Sequence, residues 1–203
     1  TIDDWSEAFF AIDKDLETRR RYMRRFKFNP NSQILEVGCS NGVNLEALES
    51  LGYSNLVGTD ISIDLLSKVK KYKCVCSDIC KLGIEDSSFD EIYCRGFLHH
   101  INTAEVFSEM VRVLRQQGLI HIVEPWPTIP RKIADFLTFY ILPYFSKTLY
   151  YRRVVISYEW KEYSDWLRRC KKIMSEELRR NNLKVVYRCC GLINLYMTVQ
   201  KAG

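Results

Sequence analysis

Ile34-Leu35-Glu36-Val37-Gly38-Cys39-Ser40-Asn41-Gly42-Val43-Asn44 is a short apolar run with β-branched residues that gives way to a loop with glycine at two fixed points. Leu45-Glu46-Ala47-Leu48 follows, so the pattern reads as strand, tight turn and helix start. Such a turn binds ligands. Glycine lets a ligand approach the main chain closely, and the first free N–H groups of the helix point at whatever sits there. The charge of the ligand is the next question. A dinucleotide fingerprint wants G-x-G-x-x-G, and Gly38-Cys39-Ser40-Asn41-Gly42 lacks the middle glycine that makes room for a pyrophosphate. Glu36, two residues before the first glycine, would repel a pyrophosphate but suits a ligand carrying an ammonium and a sulfonium. The bland alternative is any glycine-bearing turn after a buried strand.

S-adenosylmethionine is a ligand of that charge. The stretch resembles the first motif of the class I S-adenosylmethionine-dependent methyltransferases, roughly E/D-x-G-x-G-x-G, matched at Glu36, Gly38 and Gly42. Ser40 stands where that family usually has Gly. The resemblance implies a cofactor turn made of Glu36, Gly38, Cys39, Ser40 and Gly42. A second strand, Asn55 to Ser62, then places Asp60 at its carboxyl end, with Ile61 beside it. An acid about 20 residues after the glycine turn is the usual partner of ribose hydroxyls in open α/β sheets. The competing role, capping the helix that begins near Ile63, falls better to Ser62. Lys73 to Ile79 reads as a short strand ending in another acid, Asp78. The resemblance puts Asp78 against the exocyclic amine of adenine and the N–H of Ile79 toward the ring; a surface-turn Asp is the alternative.

Phe89-Asp90 ahead of a strand, followed by Leu98-His99-His100-Ile101, resembles the fourth-strand motif of small-molecule methyltransferases, including the quinone-biosynthesis type. It implies that Arg95 lies near the methionine end of the cofactor. His99 and His100 are an adjacent pair able to change charge near neutral pH. Either is a candidate general base on a substrate hydroxyl or amine, or a residue that holds the loop by a backbone hydrogen bond. An amphipathic helix from Ala104 to Leu114 precedes a strand from Leu119 to Val123, and Val113-Leu114-Arg115 with Gly118 and Ile120 is a third family-like match. Glu124, at that strand's carboxyl end, either accepts a substrate hydrogen bond or proton or is structural.

The rest of the chain supplies bounds. Its 203 residues suit one domain, and a net charge of +5, from 30 basic and 25 acidic residues, permits an acidic partner without requiring one. The eight cysteines sit mostly in apolar runs, which reads as reduced core thiols in a cytoplasmic setting. Zinc at Cys74, Cys76 and Cys80 ranks below packing, because no paired C-x-x-C knuckle is present. No apolar run of about 18 residues occurs, so neither a spanning helix nor export is indicated.

Residues from Asp3 to Phe28 read as helical, and the resemblance implies that this segment lies over the cofactor pocket, with Trp5, Tyr22 or Phe26 available to close it. The basic run Arg19-Arg20-Arg21-Tyr22-Met23-Arg24-Arg25 raises RNA methylation as a hypothesis, but a solvated helix face is the better reading. Helices are expected from Ile63 to Tyr72 and Ser175 to Arg180, and a final strand pair from Leu183 to Lys201 turns at Gly191. Between residues 128 and 172, Phe136, Phe139, Tyr140, Tyr144 and Phe145 crowd around Pro143. This segment reads first as an apolar wall for a lipophilic or aromatic acceptor, then as packing over the sheet, then as a peripheral membrane contact.

The implied fold is α/β: a Rossmann-like three-layer sandwich whose seven-stranded, mostly parallel sheet has an antiparallel C-terminal strand. One domain is expected, with a helical cap at 1–32, a cofactor core at 33–125, a helical insertion at 126–172 and a closing helix and strand pair at 173–203. The leading function is methyl transfer from S-adenosylmethionine to a small, lipophilic or aromatic molecule, releasing S-adenosylhomocysteine and needing no metal. A binding protein that kept the cofactor fold without turnover is the second hypothesis. The absence of an N/D-P-P-Y/F motif after the fourth strand, where Arg95-Gly96-Phe97-Leu98 stands, disfavours methylation of bases or amide nitrogens.

Overall fold

The computed structural model describes residue 8 and residues 15–202. Trp5, with the rest of residues 3–7 and 9–14 of the expected first helix, lies outside the described residues. Within them, helix α1 spans Leu16–Met23, capped by the Asp15 carboxylate on the Thr18 N–H. Strand β1 (Ile34–Val37) leads through the glycine loop into α2 (Val43–Ser50), and β2 (Leu56–Asp60), a short α3 (Ile63–Leu66) and β3 (Lys73–Cys76) follow. Then come β4 (Phe89–Arg95), α4 (Thr103–Val113), β5 (Leu114–Pro125), α5 (Ile129–Tyr140), α6 (Lys147–Tyr158), α7 (Trp160–Arg180), β6 (Leu183–Cys190) and β7 (Asn194–Lys201).

These strands form one seven-stranded sheet in the order β3-β2-β1-β4-β5-β7-β6. All pairings from β3 to β5 are parallel, while β7 runs antiparallel to both β5 and β6, so β7 alone is reversed. This is the α/β sandwich that the sequence implied. Strand order reverses at β1, which pairs with β2 on one side and β4 on the other, and a crevice opens at the carboxyl ends of strands at such a switch point.

Two apolar cores flank the sheet. Leu35, Val37 and Ile92 face Phe107 and Met110 of α4 and Trp166 of α7. Ile34 and Tyr93 face Leu45 and Leu48 of α2 and Met23, Phe26 and Phe28 around α1. All four residues of β1 are buried, as a strand covered on both faces requires. Inside the second layer His121 of β5 bridges three strands, holding Glu91 of β4 at 2.6 Å and Thr198 of β7 at 2.9 Å.

Several elements differ from the sequence expectations. Helix α3 ends at Leu66 instead of Tyr72, because the residues beyond it are drawn onto α2, where Lys71 pairs with Glu49 and Tyr72 donates to the same carboxylate at 2.8 Å. Strand β3 stops at Cys76, and β5 is longer than expected, starting at Leu114 beside Phe89. The expected helix at Ser175 begins instead at Trp160 as a single helix of 21 residues, so residue 172 lies inside it. Its buried Tyr163, Trp166, Cys170, Met174 and Glu177 recur at helical spacing across that point. Phe26 is buried among Phe28, Tyr93 and His121 and closes the core, not a ligand pocket. Nor is the basic run uniformly solvated: Arg19 is 4% exposed, because spacings of three and four residues set it on the face shared by Leu16, Met23 and Phe26.

Candidate functional site

The loop after β1 holds three residues at positive φ: Gly38 at 70°, Ser40 at 51° and Gly42 at 84°. Ser40 occupies the left-handed region without being glycine, a conformation costing an L residue on the order of 1 kcal/mol. The surroundings enforce it. The N–H groups of Gly38 and Cys39 both donate to the Thr59 carbonyl, at 2.8 and 2.9 Å, which lays the loop across the end of β2. Asp60 completes the attachment, one carboxylate oxygen accepting the Ser40 N–H and the other the Ser62 N–H, each at 2.9 Å. Ser62 caps α3 through its hydroxyl, which accepts the Leu65 N–H.

Glu36 points from β1 toward α1 and α2 and is 1% exposed. Asn44 donates to its Oε1 at 2.6 Å. Burial pushes the Glu36 carboxyl up to about 8, tempered by Asn44 and the Arg19 guanidinium and reinforced by the charge of Asp60. Among the described residues, Glu36 Oε2, Ser40 Oγ, Asn44 Oδ1 and the Tyr93 hydroxyl are buried with no hydrogen-bond partner. Buried polar atoms are rarely left so. Asn44 Oδ1 is an acceptor, Glu36 Oε2 accepts once ionised, and the hydroxyls of Ser40 and Tyr93 both accept and donate, a set that can receive an ammonium.

The neighbouring strand ends complete the rim. Ser77 donates its N–H to the Asp60 carbonyl at 3.0 Å, drawing the segment after β3 against β2. Asp78 is exposed and accepts the Cys80 N–H at 2.8 Å, so it caps a single 3-10 turn, Ile79–Lys81. Ile61 is largely exposed at the end of β2. The Arg95 guanidinium lies 5.4 Å from the ring of Tyr22, which joins the end of β4 to α1. Burial holds Cys39 as a thiol, so it is packing rather than a nucleophile.

A second constellation stands at the ends of β4 and β5. Glu124 is fully buried; its Oε1 accepts the N–H groups of Phe97 and Leu98 at 2.9 and 3.0 Å, and its Oε2 lies 3.1 Å from His99 Nδ1. That geometry fixes the imidazole and leaves Nε2 as the nitrogen able to exchange a proton. His100, whose Nε2 lies 3.7 Å from Glu159, is lowered to about 4 by burial and by the neighbouring His99. Beyond His99 the rings of Tyr163, Trp160 and Phe139 follow at steps of 6.2, 6.0 and 5.0 Å. Phe139 and Trp160, with Phe136 and Tyr140, line a cavity of about 590 Å³ between α5, α6 and α7. Below it Tyr163 donates to Asp135 at 2.7 Å, and Arg131 reaches Asp135, Asn194 and the Ile193 carbonyl.

Sequence reasoning missed Arg19, Asn44, Tyr93 and Tyr163. Arg19 carried a signal, its place on the apolar side of a helical pattern. Tyr93 and Asn44 did not, since only the packing of α1 and α2 on β1 sets them beside Glu36.

Residues 35–122 match the family described as a methyltransferase domain. An uncharacterised protein of Methanocaldococcus jannaschii is 27% identical over 115 residues, covering 56% of this chain and 50% of that one. The 24-methylenesterol C-methyltransferase 2 of Arabidopsis thaliana is 27% identical over 117 residues, covering 52% of this chain and 32% of that one. The chain thus spans half or less of the length of these curated relatives. A solved S-adenosylmethionine-dependent methyltransferase from Methanococcus maripaludis superimposes with a TM-score of 0.69 at 16% identity, covering 100% of this chain and 91% of that one.

Proposed function

We propose, for a chain that belongs to the class I S-adenosylmethionine-dependent methyltransferases, that it transfers a methyl group to a small, lipophilic or aromatic acceptor held between α5, α6 and α7. The observation that carries the cofactor half is the buried Glu36 carboxylate with its unpartnered Oε2, flanked by the free Asn44 and Ser40 oxygens. S-adenosylmethionine, when bound, supplies an activated methyl group on a sulfonium. Glu36 and Asn44 hold the ammonium end, Gly38, Cys39, Ser40 and Gly42 present the turn, and Asp60 takes the sugar hydroxyls with the lone pairs that Ser40 and Ser62 leave free. Ile61, Asp78 and Ile79 border the base, and Arg95 the methionine end.

The acceptor half rests on the aromatic cavity, whose size falls in the range of ~300–1,000 Å³ usual for small-molecule sites. The lipophilic substrate named for the plant relative agrees with it. His99, oriented by Glu124, lines a neighbouring pocket of about 250 Å³ together with His100 and not the cavity itself, and withdraws through Nε2 the proton of an acceptor hydroxyl or amine that reaches past Tyr163. Most of the catalysis is alignment of acceptor and methyl donor in a dry cleft. Titration calorimetry with S-adenosylmethionine and S-adenosylhomocysteine tests the cofactor half. A methyl-transfer assay against phenols, quinols and carboxylic acids tests the other; cofactor binding without turnover on any of them would favour the non-catalytic binding protein instead.

A further inference from the structure

From Ile129 to Tyr158 the chain carries Arg131, Lys132, Lys147, Arg152 and Arg153 against one carboxylate, Asp135. Asp135 is buried and committed to Arg131 and the Tyr163 hydroxyl, so what this segment adds to the surface is positive. The whole chain is nearly balanced, at 30 basic and 25 acidic residues, so the segregation is local.

Helix α5 also turns its apolar residues outward. Ile129, Ile133, Phe136 and Tyr140 recur at steps of four, three and four, which is one helix face, and all four are exposed, Ile129 by 75%. The buried residues of the same helix are Arg131, Asp135 and Thr138. The usual polarity of a surface helix is therefore inverted. The turn after α5 continues the patch with Tyr144 and Phe145, exposed by 77% and 83%. A contiguous apolar surface of this kind marks an interaction site. On the following helix, α6, Lys147 and Arg153 lie 5.3 and 5.5 Å from the rings of Tyr151 and Tyr150.

We propose that α5 and the turn behind it dock on an anionic phospholipid bilayer, with the Ile129-to-Phe145 stripe in the acyl boundary and Lys132, Lys147 and Arg153 against the headgroups. Apolar burial combined with attraction to anionic lipid is how interfacial helices bind. Among the described residues no helix is long and apolar enough to cross a membrane, so the contact is interfacial. A second copy of the chain would bring these cations face to face, which disfavours self-association as the cover. Phe136 and Tyr140 line the cavity as well as the stripe, so a lipophilic molecule dissolved in the bilayer meets the cavity where the chain docks. Docking goes beyond methyl transfer and needs neither cofactor nor acceptor.

Flotation of the full chain with vesicles of phosphatidylcholine alone, and of phosphatidylcholine mixed with phosphatidylserine, tests it. Partition onto the mixed vesicles should be at least about tenfold stronger, weakening as salt is raised. Phe136→Ser with Phe145→Ser should lower it about tenfold or more with the melting temperature unchanged, since both residues are exposed. Lys132→Glu with Lys147→Glu serves as the independent variant and should abolish the preference for anionic lipid. Equal binding to both vesicle types, no binding to either, or wild-type binding by both double variants overturns the proposal. So does a concentration-dependent dimer in sedimentation velocity that the Phe variants dissociate. A chain that methylates but does not float sinks docking alone; one that floats but never methylates sinks only the methyl-transfer reading.

Discussion

Glu124 and His99 form a buried pair in which one carboxylate oxygen orients the imidazole at 3.1 Å while the other fastens the backbone at Phe97 and Leu98. One side chain thus builds the loop and positions the proposed base. Glu124→Ala strands two N–H groups and should cost about 3 kcal/mol in urea denaturation. Glu124→Gln keeps an acceptor for the backbone but presents an amide to His99. It should destabilise less and still lower kcat by roughly 100-fold or more, as loss of a general base does. A Gln variant with full kcat would remove His99 from the chemistry.

Gly58 and Cys39 make a second testable pair. A Cβ at Gly58 would lie 2.7 Å from Cys39 Sγ and 3.0 Å from Leu45 Cδ1, inside the core beneath the loop. Gly58→Ala should therefore cost on the order of 2 kcal/mol by overpacking. Cys39→Ala removes the sulfur, so the double variant should recover part of that loss in a thermodynamic cycle. Strict additivity would show that the contact does not set the cost.

The pH dependence of the ligand-free chain has two opposing sources. Burial lowers His121 against the pull of Glu91, and burial with His99 lowers His100 to about 4, so folding disfavours the charged form of each and stability from this source falls as pH drops below about 6.5. Glu36, raised to about 8 by burial, is protonated when folded and ionised when unfolded, so its contribution is lost as pH rises from about 4 to about 8. Below about 6.5 the histidines oppose the carboxyl, and above it the carboxyl acts alone. Stability should fall as pH rises from about 6.5 to about 8, and Glu36→Gln should flatten that decline in urea titrations run across the range.

Cofactor binding should move a proton. A Glu36 carboxyl held near 8 is largely protonated at pH 7, and a cationic ligand end favours the carboxylate, so binding should release up to one proton and tighten as pH approaches 8. Calorimetry in buffers of different ionisation enthalpy measures that release directly. Glu36→Gln should abolish it and weaken binding by about tenfold or more; release that persists in this variant would assign the proton to another group.

The sequence by itself determined the strand-loop-helix unit, the acid at the end of the second strand and the alternation that makes the sheet mostly parallel. These are local patterns: Gly38, Gly42, Ser62 and the turn at Gly191 act within a few residues of themselves. Only the tertiary structure decided that Tyr93 and Asn44 come together beside Glu36, that Lys71 and Tyr72 abandon a helix for Glu49, and that Glu124 and His99, 25 residues apart, share a hydrogen bond. Such outcomes turn on which groups a packed sheet brings together, where the gain from satisfying a buried charge or donor exceeds the small differences in local propensity that a sequence displays.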